Sequence, residues 1–169
     1  MGYGSKLGNA LSFDGTDDYV DCNNNVGNFY LLEPFTIEAW INSSLDNSDE
    51  VIYGNAWAEP GYHVRVTSEN KVRFIPIDTG NVYKEIDSPV LTAGWHHIVS
   101  VWDGIDEKIY VDGVDDSQTA IENGTVITIT TTVNTKIGLD TTSAARYFNS
   151  LDVLLSAVIV SDDLAVNAV

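Results

Sequence analysis

One cysteine, Cys22, stands in 169 residues, so no disulfide can form within the chain and stability has to come from packing. Basic residues are scarce too: 8 Lys and Arg face 25 Asp and Glu, a formal net charge of −17. Nucleic acid and anionic membranes recruit clustered Lys and Arg, so this balance argues against both as partners. No apolar run approaches the length needed to cross a bilayer. The first ten residues have neither the apolar stretch of a signal peptide nor, with Ser5 one position early, a myristoylation signal. We therefore expect a soluble protein outside the usual secretion route, with export in a larger assembly such as a virion, or release by lysis, left open. Helical periodicity is nearly missing, and so are internal repeats and low-complexity tracts.

What is present is strand and turn. With 44% hydrophobic and 10% aromatic residues the chain can bury a full core, and its length reads as one domain, 1–169. In residues 94–114, Val99, Val101, Ile109 and Val111 alternate with Ser100, Trp102 and Tyr110 in the period of a strand. Two AspGly pairs, at 103–104 and 112–113, mark chain reversals, because a tight hairpin needs positive φ that these residues tolerate. A second reversal so soon predicts a third strand.

Elsewhere the alternation continues. Residues 10–13 and 19–22 read as short strands around an acidic turn, and Asp14, Asp17, Asp18 and Asp21 lack the spacing of a calcium loop. Residues 35–42 put Phe35, Ile37, Ala39 and Ile41 on one face and Thr36, Glu38, Trp40 and Asn42 on the other, a central strand with Trp40 covered by loops. Residues 51–54, 62–67, 71–77 and 82–86 predict an antiparallel meander, in which Pro76 must mark an edge, a bulge or a strand end. A Thr-rich strand at 126–130, a short buried one at 136–139 and a long apolar one at 151–160 follow. Ser161, Asp162 and Asp163 offer the cap of a short C-terminal helical turn. About a dozen strands and almost no helix predict an all-β, antiparallel two-sheet β-sandwich or jelly roll.

Five stretches in order, at 10–20, 35–41, 94–99, 109–114 and 136–139, resemble the laminin G-like jelly roll of the concanavalin A-like lectin/glucanase superfamily. The resemblance implies that fold over nearly the whole chain. It implies that Trp95, His97, Tyr110 and Asp112 serve packing and hairpin roles rather than ligand contact. It also implies a structural calcium near an Asp of the closing strand. Residues 148–160 keep Phe148 and Asp152 of that strand but carry Ser150 and Val153 in place of its Gly and Glu, and a second register puts Ser156 at the Asp position. The calcium expectation is a site held by Asp14 and Asp152, with oxygen ligands suited to that ion.

Catalytic patterns are missing. The paired carboxylates of the superfamily's glycosidases, ExDxxE on one strand face, do not occur; Glu85 and Asp87 alternate correctly but run into Ser88 and Pro89, expected to end the strand. His96 and His97 are neighbours on a strand, point to opposite faces and cannot share an ion; one is expected in the core and the other outside. We expect no enzyme. The candidate glycan-binding face is Trp57, Tyr62, His63, Arg65, Arg73 and Tyr83 on and beside the meander, since aromatic rings stack on sugars and Arg offers paired donors. The function expected is a non-enzymatic interaction module that decorates a larger assembly, such as a phage virion, through protein contacts and presents an adhesive face to glycans. The alternative is a freestanding, calcium-dependent carbohydrate-binding lectin module.

Overall fold

The computed structural model describes residues 10–14, 16–23, 26–27, 29, 33–55, 60–126, 133–139 and 149–154, the last stretch and residues 119–120 as backbone alone. Thirteen strands run in chain order: β1 (Leu11–Asp14), β2 (Val20–Asp21), β3 (Phe35–Ser43), β4 (Glu50–Gly54), β5 (Gly61–Val66), β6 (Lys71–Ile77), β7 (Lys84–Val90), β8 (Gly94–Trp102), β9 (Glu107–Val111), β10 (Val114–Asp115), β11 (Gln118–Glu122), β12 (Lys136–Ile137) and β13 (Asn149–Leu154). They form two antiparallel sheets, six strands in the order β1-β13-β3-β8-β9-β10 and seven in the order β11-β7-β6-β5-β4-β12-β2. The described residues contain no helix; the expected C-terminal helical turn, and the strand expected beyond Val126, lie outside them.

The backbone of the first sheet is the nine-residue ladder of β3 with β8, from Phe35↔Trp102 to Ser43↔Gly94. Its inward residues Phe35, Ile37, Ala39 and Ile41 join Ile98, Trp102, Ile109 and Val111, and the second sheet answers with Tyr62, Val64, Val66, Val72, Phe74 and Ile86. Period-2 alternation explains the split, since a residue and its second neighbour share a face. At the centre Phe29 stacks on Phe35 at 4.1 Å, and Phe35 meets Tyr62 at 4.8 Å. Tyr62 donates its hydroxyl to the carbonyl of Gly27 at 2.8 Å, and Gly27 has φ of +71°, where a Cβ would lie 2.3 Å from that hydroxyl. Glycine is required there both for the backbone and for the space.

Both AspGly reversals form. Asp103 Oδ1 accepts from the amides of Ile105 and Asp106, closing the loop between Trp102 and Glu107. Asp112 and Gly113, at φ of +52° and +83°, make the two-residue turn between paired Val111 and Val114, the geometry matched to strand twist. The expected third strand is only two residues long. The chain then crosses over, and β11 pairs with β7 at the edge of the other sheet. The meander forms as consecutive neighbours β4-β5-β6-β7. Pro76 falls near the end of β6, past Phe74↔Ile86, the last described step of the β6–β7 ladder, where a missing N–H matters least. Pro89 does not end β7, which runs on to Val90; its ring is exposed near the strand end.

One inward position breaks the apolar pattern. Glu107 is buried directly across from Trp102, and Ser100 lies two residues back on the same inward face. Neither Glu107 carboxylate oxygen, nor Trp102 Nε1, nor Ser100 Oγ has a hydrogen-bond partner.

Candidate functional site

The meander places the expected glycan-binding residues in three different settings. Tyr62 is fully buried on the inner face, because its neighbours at two-residue spacing, Val64 and Val66, are core residues; it is not available to a ligand. His63 and Arg65 face the opposite side, yet both are buried, at 2% and 8% exposure. Arg65 Nη1 lies 3.6 Å from Asp49. Arg73, next to Arg65 in the ladder, is clamped by Asp87 through two bonds of 2.6 and 2.8 Å and by Glu85 at 3.2 Å. Tyr83 is half-buried beside the bridge to Ile77, and Trp57 lies outside the described residues. The meander therefore presents no free guanidinium fork at Arg73, and Glu85 with Asp87 serve as its counter-ions rather than as an acid and base pair.

The acidic turn gathers Asp14, Asp17 and Asp18, whose carboxylate oxygens come within 4.8 Å of one another, all exposed. Asp14 Oδ1 accepts from the Thr16 amide and Asp18 Oδ2 from the Asp14 amide, so two of the three carboxylates also hold the turn. In the β1–β13 ladder Asp152 faces Ser12, while Asp14 faces Asn149. Asp14 and Asp152 are therefore not ladder partners. The carboxylate oxygens of the turn are of a chemistry that suits calcium.

A different surface emerges on the outer face of the six-stranded sheet. Since Ile37, Ala39 and Ile41 point inward, Glu38 and Trp40 point outward; since His96, Ile98 and Trp102 are buried, Trp95, His97 and Val99 point outward. Trp40 and His97 are ladder partners, and their rings stack at 4.9 Å with 28° between planes. His97 Nε2 meets Glu38 Oε1 at 2.8 Å, fixing the ring across the two strands. Trp95, across from Asn42, lies diagonally from Trp40, and Tyr110 on β9 continues the face beside Val99. All four aromatic side chains are half-buried.

The two histidines divide as alternation requires. His96, buried, contacts Asp112 Oδ2 at 2.8 Å through Nδ1 and the Thr92 carbonyl at 2.9 Å through Nε2, while the Asp112 Oδ1 accepts from the His97 amide at 2.9 Å. Burial works to raise the Asp112 carboxyl, but the His97 amide and the His96 ring outweigh it and hold the pKa below the ordinary value. Asp112 is thus the hairpin residue the sequence implied, and it braces the strand that carries His97. Trp95, His97 and Tyr110 stand half-buried on the outward face, with His97 packed against Trp40.

Among curated proteins none matches the sequence. The fold is similar to the botulinum neurotoxin serotype D binding domain, at 17% identity and a TM-score of 0.57 over 86% of this chain and 38% of that one. It is likewise similar to a Trp-to-Ala variant of HCR/D, at 15% identity and 0.59 over 89% and 40%. The chain thus spans about two fifths of those structures. A laminin G-type family model, described as concanavalin A-like lectin/glucanases superfamily, matches residues 14–162. On that match the chain belongs to the laminin G-type branch of the concanavalin A-like lectin/glucanases superfamily.

Proposed function

We propose that the chain is a non-enzymatic glycan-binding module whose ligand lies on the outer face of the six-stranded sheet. The observation that carries the reading is the outward cluster of Trp40, His97, Trp95 and Tyr110, with Glu38 anchored among them. Aromatic faces stack on the C–H faces of sugar rings, while a carboxylate accepts from hydroxyls. Strands hold these groups more rigidly than loops would, so little ordering entropy is lost on binding. Membership of a lectin and glucanase superfamily supports the ligand class. The serotype D neurotoxin domain that shares the fold is itself a binding domain, and the Glu85–Asp87 pair, locked by Arg73, gives no support to catalysis.

A second reading is docking on the protein surface of a larger assembly, such as a phage virion. It draws on Val99, Val101 and Lys108, which extend the same outward face from Tyr110 toward the Asp103–Asp106 loop. A glycan array probed with the wild-type protein and with Trp40→Ala, with millimolar calcium and with chelator, tests both. Glycan binding lost in Trp40→Ala supports the module and its face. Binding that disappears with chelator assigns a role to calcium, with the Asp14, Asp17 and Asp18 turn as the first place to look for it, and no binding in any arm moves the docking reading forward.

A further inference from the structure

We infer that the ligand of the aromatic sheet face is an uncharged, hydroxyl-rich polysaccharide, and that sulfated, sialylated and uronic acid glycans are excluded. This rests on the reading of that face as a glycan site. Of the six described Lys and Arg residues, four are held by carboxylates: Arg65 by Asp49, Lys71 by Glu69, Arg73 by Asp87 and Glu85, and Lys84 by Asp106 and Glu122. Lys136 lies 4.8 Å over the Tyr19 ring, next to Asp21 in the β2–β12 ladder. Among the described residues only Lys108 stands on the aromatic face, opposite Val101 and next to Tyr110 but away from Trp40 and Trp95.

An anionic sugar would therefore meet Glu38 at the centre of the aromatic cluster and a chain of formal charge −17 around it. At Trp40 and Trp95 its carboxylate or sulfate would lose water without gaining a paired cation among the described residues, and burial of an unpaired charge is costly. Anionic ligands are also turned away before contact by the field of the whole molecule. A neutral sugar meets none of this. Its hydroxyls can donate to Glu38, while its apolar face covers the Trp rings.

Glu38 also distinguishes the proposal from simple adhesion to any apolar surface. Ligand hydroxyls must reach a carboxylate already fixed through Oε1 to His97, so a preparation that stacks on the aromatics but carries no donors gains nothing there.

The test is affinity electrophoresis of the full chain in gels containing dextran, galactan or mannan, against heparin, alginate and chitosan, at low and high salt. Wild type is compared with Trp40→Ala and Trp95→Ala, with thermal melting as the folding control. The expected result is retardation by at least one neutral polymer, insensitive to salt and weakened about tenfold in each variant, corresponding to loss of one stacked aromatic. Affinity for the anionic polymers should be at least tenfold lower. Preference for an anionic or a basic polymer that still depends on Trp40 would overturn the ligand class and leave the face assignment standing. Neutral-polymer binding unchanged in both variants would overturn the face. Retardation by no polymer would overturn the glycan reading itself.

Discussion

Glu107 offers a sharp test of how the interior is assembled. Its carboxylate is buried across from Trp102, and neither oxygen has a hydrogen-bond partner. Burial is the main reason its pKa lies above the ordinary glutamate value; Lys84 opposes the rise, and Asp106 and Glu122 add to it. The sign of the pH effect follows. Below the unfolded pKa the group is neutral in both states and costs no ionisation. As pH rises through the folded pKa, the native state must ionise a buried carboxyl that the unfolded chain ionises freely, so stability falls. Replacing Glu107 with Leu removes that cost. An unsatisfied buried polar group costs about 1–3 kcal/mol, so Glu107→Leu should gain about 2 kcal/mol at pH 7, or roughly 4–8 °C in Tm for a domain of this size. Lys84 keeps Asp106 at 2.7 Å and Glu122 at 3.6 Å, so the change strands no cation. Urea unfolding of wild type and Glu107→Leu at pH 4, 5.5 and 7 measures the difference. The gain should shrink toward pH 4. A variant less stable than wild type at pH 7, or a gain independent of pH, would refute the reasoning and mean that Glu107 makes a favourable interaction in the interior.

Two further substitutions probe the supports of the two sheets. Asp112→Ala loses the bonds to His96 Nδ1 and the His97 amide and puts a less tolerant residue at φ of +52°; with the side chain 51% exposed, the cost should be about 1–2 kcal/mol. Because its folded pKa is lowered, the stabilisation is present above the unfolded carboxylate pKa and disappears as pH falls through the folded value. The gap between wild type and Asp112→Ala in urea midpoint should therefore narrow in strong acid to the cost of positive φ at Ala, and Asp112→Asn, which accepts positive φ, should recover part of it. Arg73→Met leaves Glu85 and Asp87, 13% and 17% exposed, without their shared cation. A loss of about 2–3 kcal/mol is the expected melting result at pH 7, and a variant as stable as wild type would show that the shared cation contributes nothing.

Legibility in the sequence followed the distance over which each feature is determined. Turns are local: AspGly at 112–113 dictates a two-residue reversal wherever it falls between alternating strands, and it formed. The inward set of β3 is also local, because Phe35, Ile37, Ala39 and Ile41 differ so clearly from Thr36, Glu38 and Asn42. β8 is harder. Trp95, His97 and Val99 are as bulky as His96, Ile98 and Ser100, so the pattern alone does not say which set meets the core. The answer comes from Trp102 packing across from Glu107 and Phe35, residues brought together only by pairing.

Tyr62 shows the same limit from the other side. Treating Tyr62, His63 and Arg65 as one exposed surface conflicts with alternation, because Tyr62 and His63 are adjacent and must face apart. What sends Tyr62 rather than His63 inward is the stack with Phe35 and the carbonyl of Gly27, contacts separated in sequence by 27 and 35 residues. Charge accounting is equally non-local: Arg73 looked like a free donor until β7 brought Asp87 and Glu85 against it. The aromatic face became visible only when parity on two strands, β3 and β8, was resolved together, because Trp40 and His97 lie 57 positions apart and meet as ladder partners. A binding face on a sheet is read from the pairing register, and register is what one sequence states least directly.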